Sequence, residues 1–229
     1  MAKVKFSALI SEMRNKLNGS VFSRNRGGAY LRNKVTPLNP QTSAQVAARS
    51  LLTFFSQSWR SLTEAQRLAW SGAVASWSTT DVFGDTVNPT GATLYIRLNC
   101  NIAIAGGTAI VLPPAPLGAA ALDSLSCEAF ESTQDLDITF TASPIPADHA
   151  MVLESTGNLS PGISNANSSF RTIEVVAAAS ASPYSAGNAQ VAKFGSVVTG
   201  QKIFVRAKMI RLSTGETSQR QVTSTIVAA

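Results

Sequence analysis

The stretch LNGSVFSRNRGGAYLRNKVTPLNPQTSAQVAARSLLTFFSQSWRSLTEAQRLAWSGAVASW, residues 17–77, decides how this chain is read. Its second half announces two helices with matching start signals. Thr42-Ser43-Ala44-Gln45 and Thr63-Glu64-Ala65-Gln66 both fit a capping box, in which the Thr hydroxyl accepts an orphan helix N–H and the Gln reaches back. In the first helix Ala47, Leu51, Phe54, Phe55 and Trp59 fall on one face, and the second presents Leu68, Ala69, Val74 and Trp77 with Trp70 alongside. The short join Ser61-Leu62-Thr63 makes the helices neighbours, antiparallel or steeply crossed. Packing among Leu51, Phe55, Trp59 and Trp70 is the expected bond between them. A DNA-reading helix-turn-helix is a poorer fit, because the second helix offers only Gln66 and Arg67 as base readers.

The first half reads as β structure. SVFSRN and GAYLRNKV flank Arg26-Gly27-Gly28, a hairpin signal in which glycine supplies the positive φ of a tight loop. Val21 and Ser23 alternate with Phe22 and Arg24, and Tyr30 and Arg32 with Leu31 and Asn33, so basic side chains project from a ribbon. Pro37 and Pro40 end it in extended geometry. Upstream, Phe6 to Leu17 carries a weak helical rhythm that an extended arm would also satisfy.

Downstream, residues 79–89 form a loop, and residues 91–105 begin a third helix for which a strand is a real competitor. Gly106-Gly107 stops that element. Residues 108–122, rich in Pro and Ala, read as an extended connector. The rest holds seven short runs separated by turn residues: 124–131, 135–142, 150–155, 170–176, 189–194, 202–210 and 219–227. That spacing is expected of an immunoglobulin-like β-sandwich. Leu136, Ile138, Phe140 and Ala142 would point one way. Ile203, Val205, Ala207 and Met209 would face the core, with Lys202, Arg206 and Lys208 facing out. The turn 211–216 looks like the corresponding hairpin of fibronectin type III modules. The predicted fold class is therefore α+β multidomain: a basic arm or hairpin (1–41), a helical cluster (42–107), a connector (108–122) and an Ig-like or fibronectin-III-like β-sandwich (123–229).

Composition narrows the function classes. Hydrophobic residues make up 45% of the 229 and charged residues 14%, which argues against a disordered chain. The longest apolar stretches are broken by Gly and Pro before the span a membrane requires, and charges interrupt the start MAKVKFSALISEMRNK, so neither a transmembrane helix nor a signal peptide is expected. Cys100 and Cys127 are expected as free thiols, and His149 as a loop histidine rather than a ligand. The net charge of +6 is unevenly placed. Residues 1–80 carry eleven basic groups against Glu12 and Glu64, whereas residues 117–229 carry seven basic and nine acidic groups. One end is thus suited to a polyanion or an acidic protein surface. Convergent catalytic groups are missing: His149 has no nucleophile elbow beside it, Asp135 and Asp137 lack a glycosidase context, and neither glycine pair is followed by Lys-Ser/Thr. No enzyme, cofactor or metal is expected.

Four elements recur together in residues 19–70: Gly19-Ser20-Val21, the Gly-Tyr/Arg stretch 28–32, Asn39-Pro40-x-Thr42 followed by Gln45, and Trp59-x-x-Leu62-Thr63-x-x-Gln66-Arg67-x-x-Trp70. In these the chain resembles an N-terminal module of uncharacterised structural proteins of tailed bacteriophages and prophages, many from phages of Bacteroidetes hosts. The resemblance covers about the first third of the chain. It implies a virion structural protein, associated with the capsid as a decoration or minor head protein, found in the virion and in the host cytoplasm during assembly. Neck or tail placement is one alternative, and a nucleic-acid-associated phage protein binding phosphates non-specifically is another. The implied partners are other virion proteins (capsid, portal, neck or tail) in a multi-copy symmetric assembly, with no membrane. The anchoring arm would use Arg14, Lys16, Phe22, Arg24, Arg26, Tyr30, Arg32 and Lys34.

Overall fold

Alternating side chains and tight turns build antiparallel ladders, and capped apolar stripes build helices; both occur here. The computed structural model describes residues 2–7, 9–10, 12–25, 28–36, 38–80, 86–141, 143–166 and 168–229, and combines helices with antiparallel sheets in a mixed α and β fold. The chain divides into two units, Met1–Val46 and Ala47–Ala229.

The first unit is one sheet of four strands, β1 (Ala2–Lys3), β2 (Asn15–Leu17), β3 (Ser20–Asn25) and β4 (Gly28–Asn33), in the order β1-β4-β3-β2. Asn18-Gly19 turns β2 into β3, with Asn18 at φ 50° and Leu17 opposite Ser20. Asn tolerates this left-handed conformation better than most residues, which is why Asn-Gly marks hairpins. The helical rhythm of residues 6–17 yields no helix among the described residues, and its last three form β2.

The second unit opens with α1 (Ser43–Ser61, which begins in the first unit's last residues), α2 (Glu64–Ala73) and a short 3₁₀ turn, Val74–Trp77. A ribbon of β5 (Thr79–Thr80) and β6 (Thr86–Val87) leads to α3 (Gly91–Ile104). At Thr63 both halves of the capping box are present, and Thr90 caps α3 through the Thr93 N–H. Phe55, Trp70, Trp77, Leu94, Tyr95 and Leu98 are buried together, with Leu51 and Trp59 packed against them. The Tyr95 ring is the centre, with the Trp70, Trp59 and Phe55 rings 5.3, 5.6 and 6.4 Å from it. Four residues assigned to the apolar stripes lie outside this cluster: Ala47, Phe54, Leu68 and Ala69 are exposed.

Two sheets follow. β7 (Ser124–Phe130), β8 (Asp135–Thr141) and β11 (Tyr184–Ser185) pair in the order β11-β8-β7. β9 (His149–Ser155), β10 (Arg171–Val176), β12 (Lys202–Arg211) and β13 (Gln221–Ile226) pair in the order β10-β9-β12-β13. Their period-two alternation sends Leu136, Ile138 and Phe140 from one sheet, and Met151, Leu153, Ile203, Val205, Ala207 and Met209 from the other, into one buried cluster. Ala142, assigned to the same face, lies outside the described residues.

Of the seven runs read as strands, 189–194 is instead part of a helix, α4 (Gly187–Phe194). Its Ala, Gln and Lys favour helix, and the turn lets buried Gln190 donate to the Thr156 carbonyl (2.8 Å) and take the Ser155 hydroxyl. The outward face of β12 also differs from its reading, and with the same face of β9 it is partly covered. Phe204 is buried with Ala166 and Phe170, while Ala150, Val152 and Ile210 are buried with Ala105 just beyond α3. Arg206 is accordingly half-buried, ion-paired with Glu154 and stacked 4.3 Å from the Phe170 ring.

Residues 108–122 have no regular secondary structure, yet side chains grip their backbone along its length. Trp70 Nε1 donates to the Val111 carbonyl (2.8 Å). Asn99 brackets Ile110, accepting its N–H (2.7 Å) and donating to its carbonyl (3.1 Å). Glu216 accepts the Leu117 N–H, His149 Nε2 accepts the Ala120 N–H (both 3.0 Å), and Gln221 donates to the Leu122 carbonyl (3.1 Å). Asn101 adds a bond from α3 to the Gly215 carbonyl, 2.9 Å.

Candidate interaction surface

The first unit concentrates charge. Residues 1–46 hold Lys3, Lys5, Arg14, Lys16, Arg24, Arg26, Arg32 and Lys34 against Glu12 alone, a net charge of +7. Pairing register assigns the anchoring candidates to faces, because residues directly opposite share a side. Phe22 lies opposite Leu31 and Arg24 opposite Ala29, so these four share one face. Val21 lies opposite Arg32 and Lys16, and Ser23 opposite Tyr30, so Lys16, Arg32 and Tyr30 share the other. The eight candidates therefore do not form a single patch.

The two faces differ in what covers them. On the Arg24 side lies a groove of about 400 Å³ lined by Phe6, Ile10, Met13 and Ala29. Glu12 there accepts from Arg14 Nε at 2.8 Å and lies 3.8 Å from Arg24, so the cations of that face have a carboxylate to hand. On the opposite face Lys16 and Arg32 flank Val21 in one row and have no ion pair among the described residues. Lys34 is exposed just beyond β4, its N–H bonded to the Gly19 carbonyl (2.8 Å). Arg26 lies outside the described residues. Sequence reading included Lys16 without placing it; Asn18-Gly19 was the signal that folds it beside Val21.

Among the described residues of this unit no side chain is buried. A sheet gains stability by covering an apolar face, and this one covers neither fully. The helical residues Leu51, Phe55, Trp59 and Trp70, by contrast, meet around Tyr95 and have no unfilled role.

The groups weighed for chemistry are occupied structurally. His149 is 3% exposed at the start of β9, not in a loop. Accepting from Ala120 requires an unprotonated Nε2; burial, then the nearby Arg211 guanidinium, hold the ring below its ordinary pKa against a smaller opposing pull from Asp148. Both thiols are free, and burial pushes Cys127 up to about 11. Among the described residues no cluster of three or more metal-ligating side chains occurs, and no helix is long and apolar enough to cross a membrane.

No protein-family model matches the chain, and no curated protein does. Among solved structures, an Fn3-like protein from Clostridium thermocellum is similar at TM-score 0.32 and 14% identity, over 49% of this chain and 96% of that one. A β-1,2-glucanase from Parabacteroides distasonis is similar at TM-score 0.26 and 12% identity, over 50% of this chain and 14% of the glucanase. Scores this low do not establish a shared fold.

Proposed function

We propose that the chain is a structural protein of a tailed-bacteriophage particle, associated with the capsid as a decoration or minor head protein. It docks through its N-terminal sheet and holds outward a β-sandwich of immunoglobulin or fibronectin type III kind, the two sheets of residues 124–226 being its layers. The observation that carries this reading is a four-stranded sheet within residues 1–46, a unit with a net charge of +7 and no buried side chain among its described residues. Such a sheet is short of the apolar burial that holds isolated sheets together, and an acidic partner supplies both cover and counter-charge. Repetition over many copies makes weak single contacts sufficient. In this reading the chain is structural rather than catalytic.

The test is incorporation. Particles propagated with residues 1–40 deleted from this protein are expected to lack it, while the deleted protein stays soluble with near-native circular dichroism. A deleted protein that loads as well as the full chain overturns the reading. Retention of DNA by the intact protein, falling steeply with salt and lost with the deletion, would move the arm to phosphate binding instead.

A further inference from the structure

We infer that the Lys16–Arg32 face of the N-terminal sheet docks on the outer face of β7 and β8 of a second copy of this chain. The inference rests on the reading of that sheet as a docking element and names its occupant. β7 and β8 point Cys127, Ala129, Leu136, Ile138 and Phe140 inward, which leaves Ser126, Glu128, Asp137 and Thr139 on the outer side. Glu128 lies directly opposite Asp137 in the ladder, two like charges at cross-strand distance, an arrangement that destabilises a sheet. Neither carboxylate has an ion pair among the described residues, and no Lys or Arg occurs in β7, β8 or β11. The chain thus carries an acid pair without an ion-pair partner, among the described residues, on one polar sheet face.

It also carries the complement. Arg32, Val21 and Lys16 form one row across three adjacent strands, which spaces the two cations about 10 Å apart, from the usual strand separation. Two flexible cationic side chains on that spacing can straddle the Glu128–Asp137 pair and place one positive group beside each carboxylate. The opposite face is the poorer candidate, since Glu12 already sits beside Arg14 and Arg24. Donor and acceptor surfaces differ, so the contact is head-to-tail. Each copy keeps one surface of each kind open, and the association runs on or closes into a ring.

Sedimentation velocity of the full chain, from micromolar to submillimolar concentration at low and high salt, reads this directly. At low salt the wild type is expected to grow in mass with concentration beyond a dimer, and to return to monomer at high salt. K16E/R32E and E128K/D137K are each expected to stay monomeric with wild-type circular dichroism. Their equimolar mixture is expected to regain the high mass, because each supplies the surface that complements the other. A wild type that is monomeric throughout overturns the inference, as does either variant associating as the wild type does. So does rescue when all four changes share one chain but not on mixing, which would mean that the arm folds back on its own copy. Loss of particle loading in the 1–40 deletion alongside a monomeric wild type would sink this inference and leave the proposed function standing.

Discussion

Asn99 is the residue on which the joint between the helices and residues 108–122 can be tested most sharply. It is fully buried on α3, donates to the Tyr95 carbonyl at 3.0 Å, and pairs with both the N–H and the carbonyl of Ile110. Asn99→Leu keeps the branched heavy-atom shape, at somewhat greater bulk, and removes the amide. The Ile110 N–H and carbonyl then lose their partners in a half-buried setting, at roughly 1–2 kcal/mol each, so the expected loss is about 2–4 kcal/mol. Against a typical total of about 5–15 kcal/mol that is a large share. All three tryptophans (Trp59, Trp70, Trp77) lie in the helical part, so fluorescence in a urea titration reports the helices while circular dichroism weights the whole chain. The variant's fluorescence midpoint should fall accordingly, and hydrogen exchange at Ile110 should accelerate. Asn99→Asp adds a control that packing alone does not explain. It keeps an acceptor for the Ile110 N–H but turns a charged oxygen toward two carbonyls, so it should be at least as damaging near neutral pH and recover as acid protonates the carboxyl. An Asn99→Leu protein within about 0.5 kcal/mol of wild type, inside the range of ordinary surface substitutions, would refute the reasoning.

His149 makes stability depend on pH. Its pKa in the folded chain lies below the ordinary value of 6.5, so the unfolded state binds the proton first. The stability due to the neutral ring is complete above about 6.5 and is lost as pH falls through the folded value. Thermal melts of wild type should therefore weaken on acidification more than those of H149Q, which keeps a neutral acceptor for Ala120; parallel profiles would refute this. Gly215 sits at φ 75°, where a methyl would overlap the Leu98 carbonyl oxygen, so Gly215→Ala should cost about 3 kcal/mol or more in a urea titration.

The mixed α and β class was legible because its signals are local. Thr63 and Gln66 announce their helix within four residues, and Leu136, Ile138 and Phe140 declare a strand by alternation alone. α3 was ambiguous because its cap, Thr90 to Thr93, lacks the Gln of a capping box and its interior is apolar on most sides. α4 was misread because Ala189, Val191 and their neighbours alternate like a strand; Gln190, which decides the matter, finds its partners Ser155 and Thr156 only in three dimensions. The cations of the arm were legible as a group. Their division between two faces was not, since it depends on pairing Lys16 with Val21 and Val21 with Arg32. Nothing in the letters of residues 108–122 shows that they are held, because Trp70, Asn99, Glu216, His149 and Gln221 grip carbonyls and amides that almost any residue carries.

That last feature shifts where selection must act. A segment recognised mainly through its main chain places few demands on its own side chains. Most substitutions between Leu112 and Ala121 should therefore be absorbed readily, apart from any at Gly118 (φ 74°) and proline at 117 or 120, whereas the five gripping residues have little freedom to change. Randomising that decapeptide and sequencing the survivors would give a flat profile except for glycine at 118 and the loss of proline at 117 and 120, while the same library at the grips would collapse toward the residues already there. The join would then be a place where new lengths of sequence could be trialled without disturbing what lies on either side.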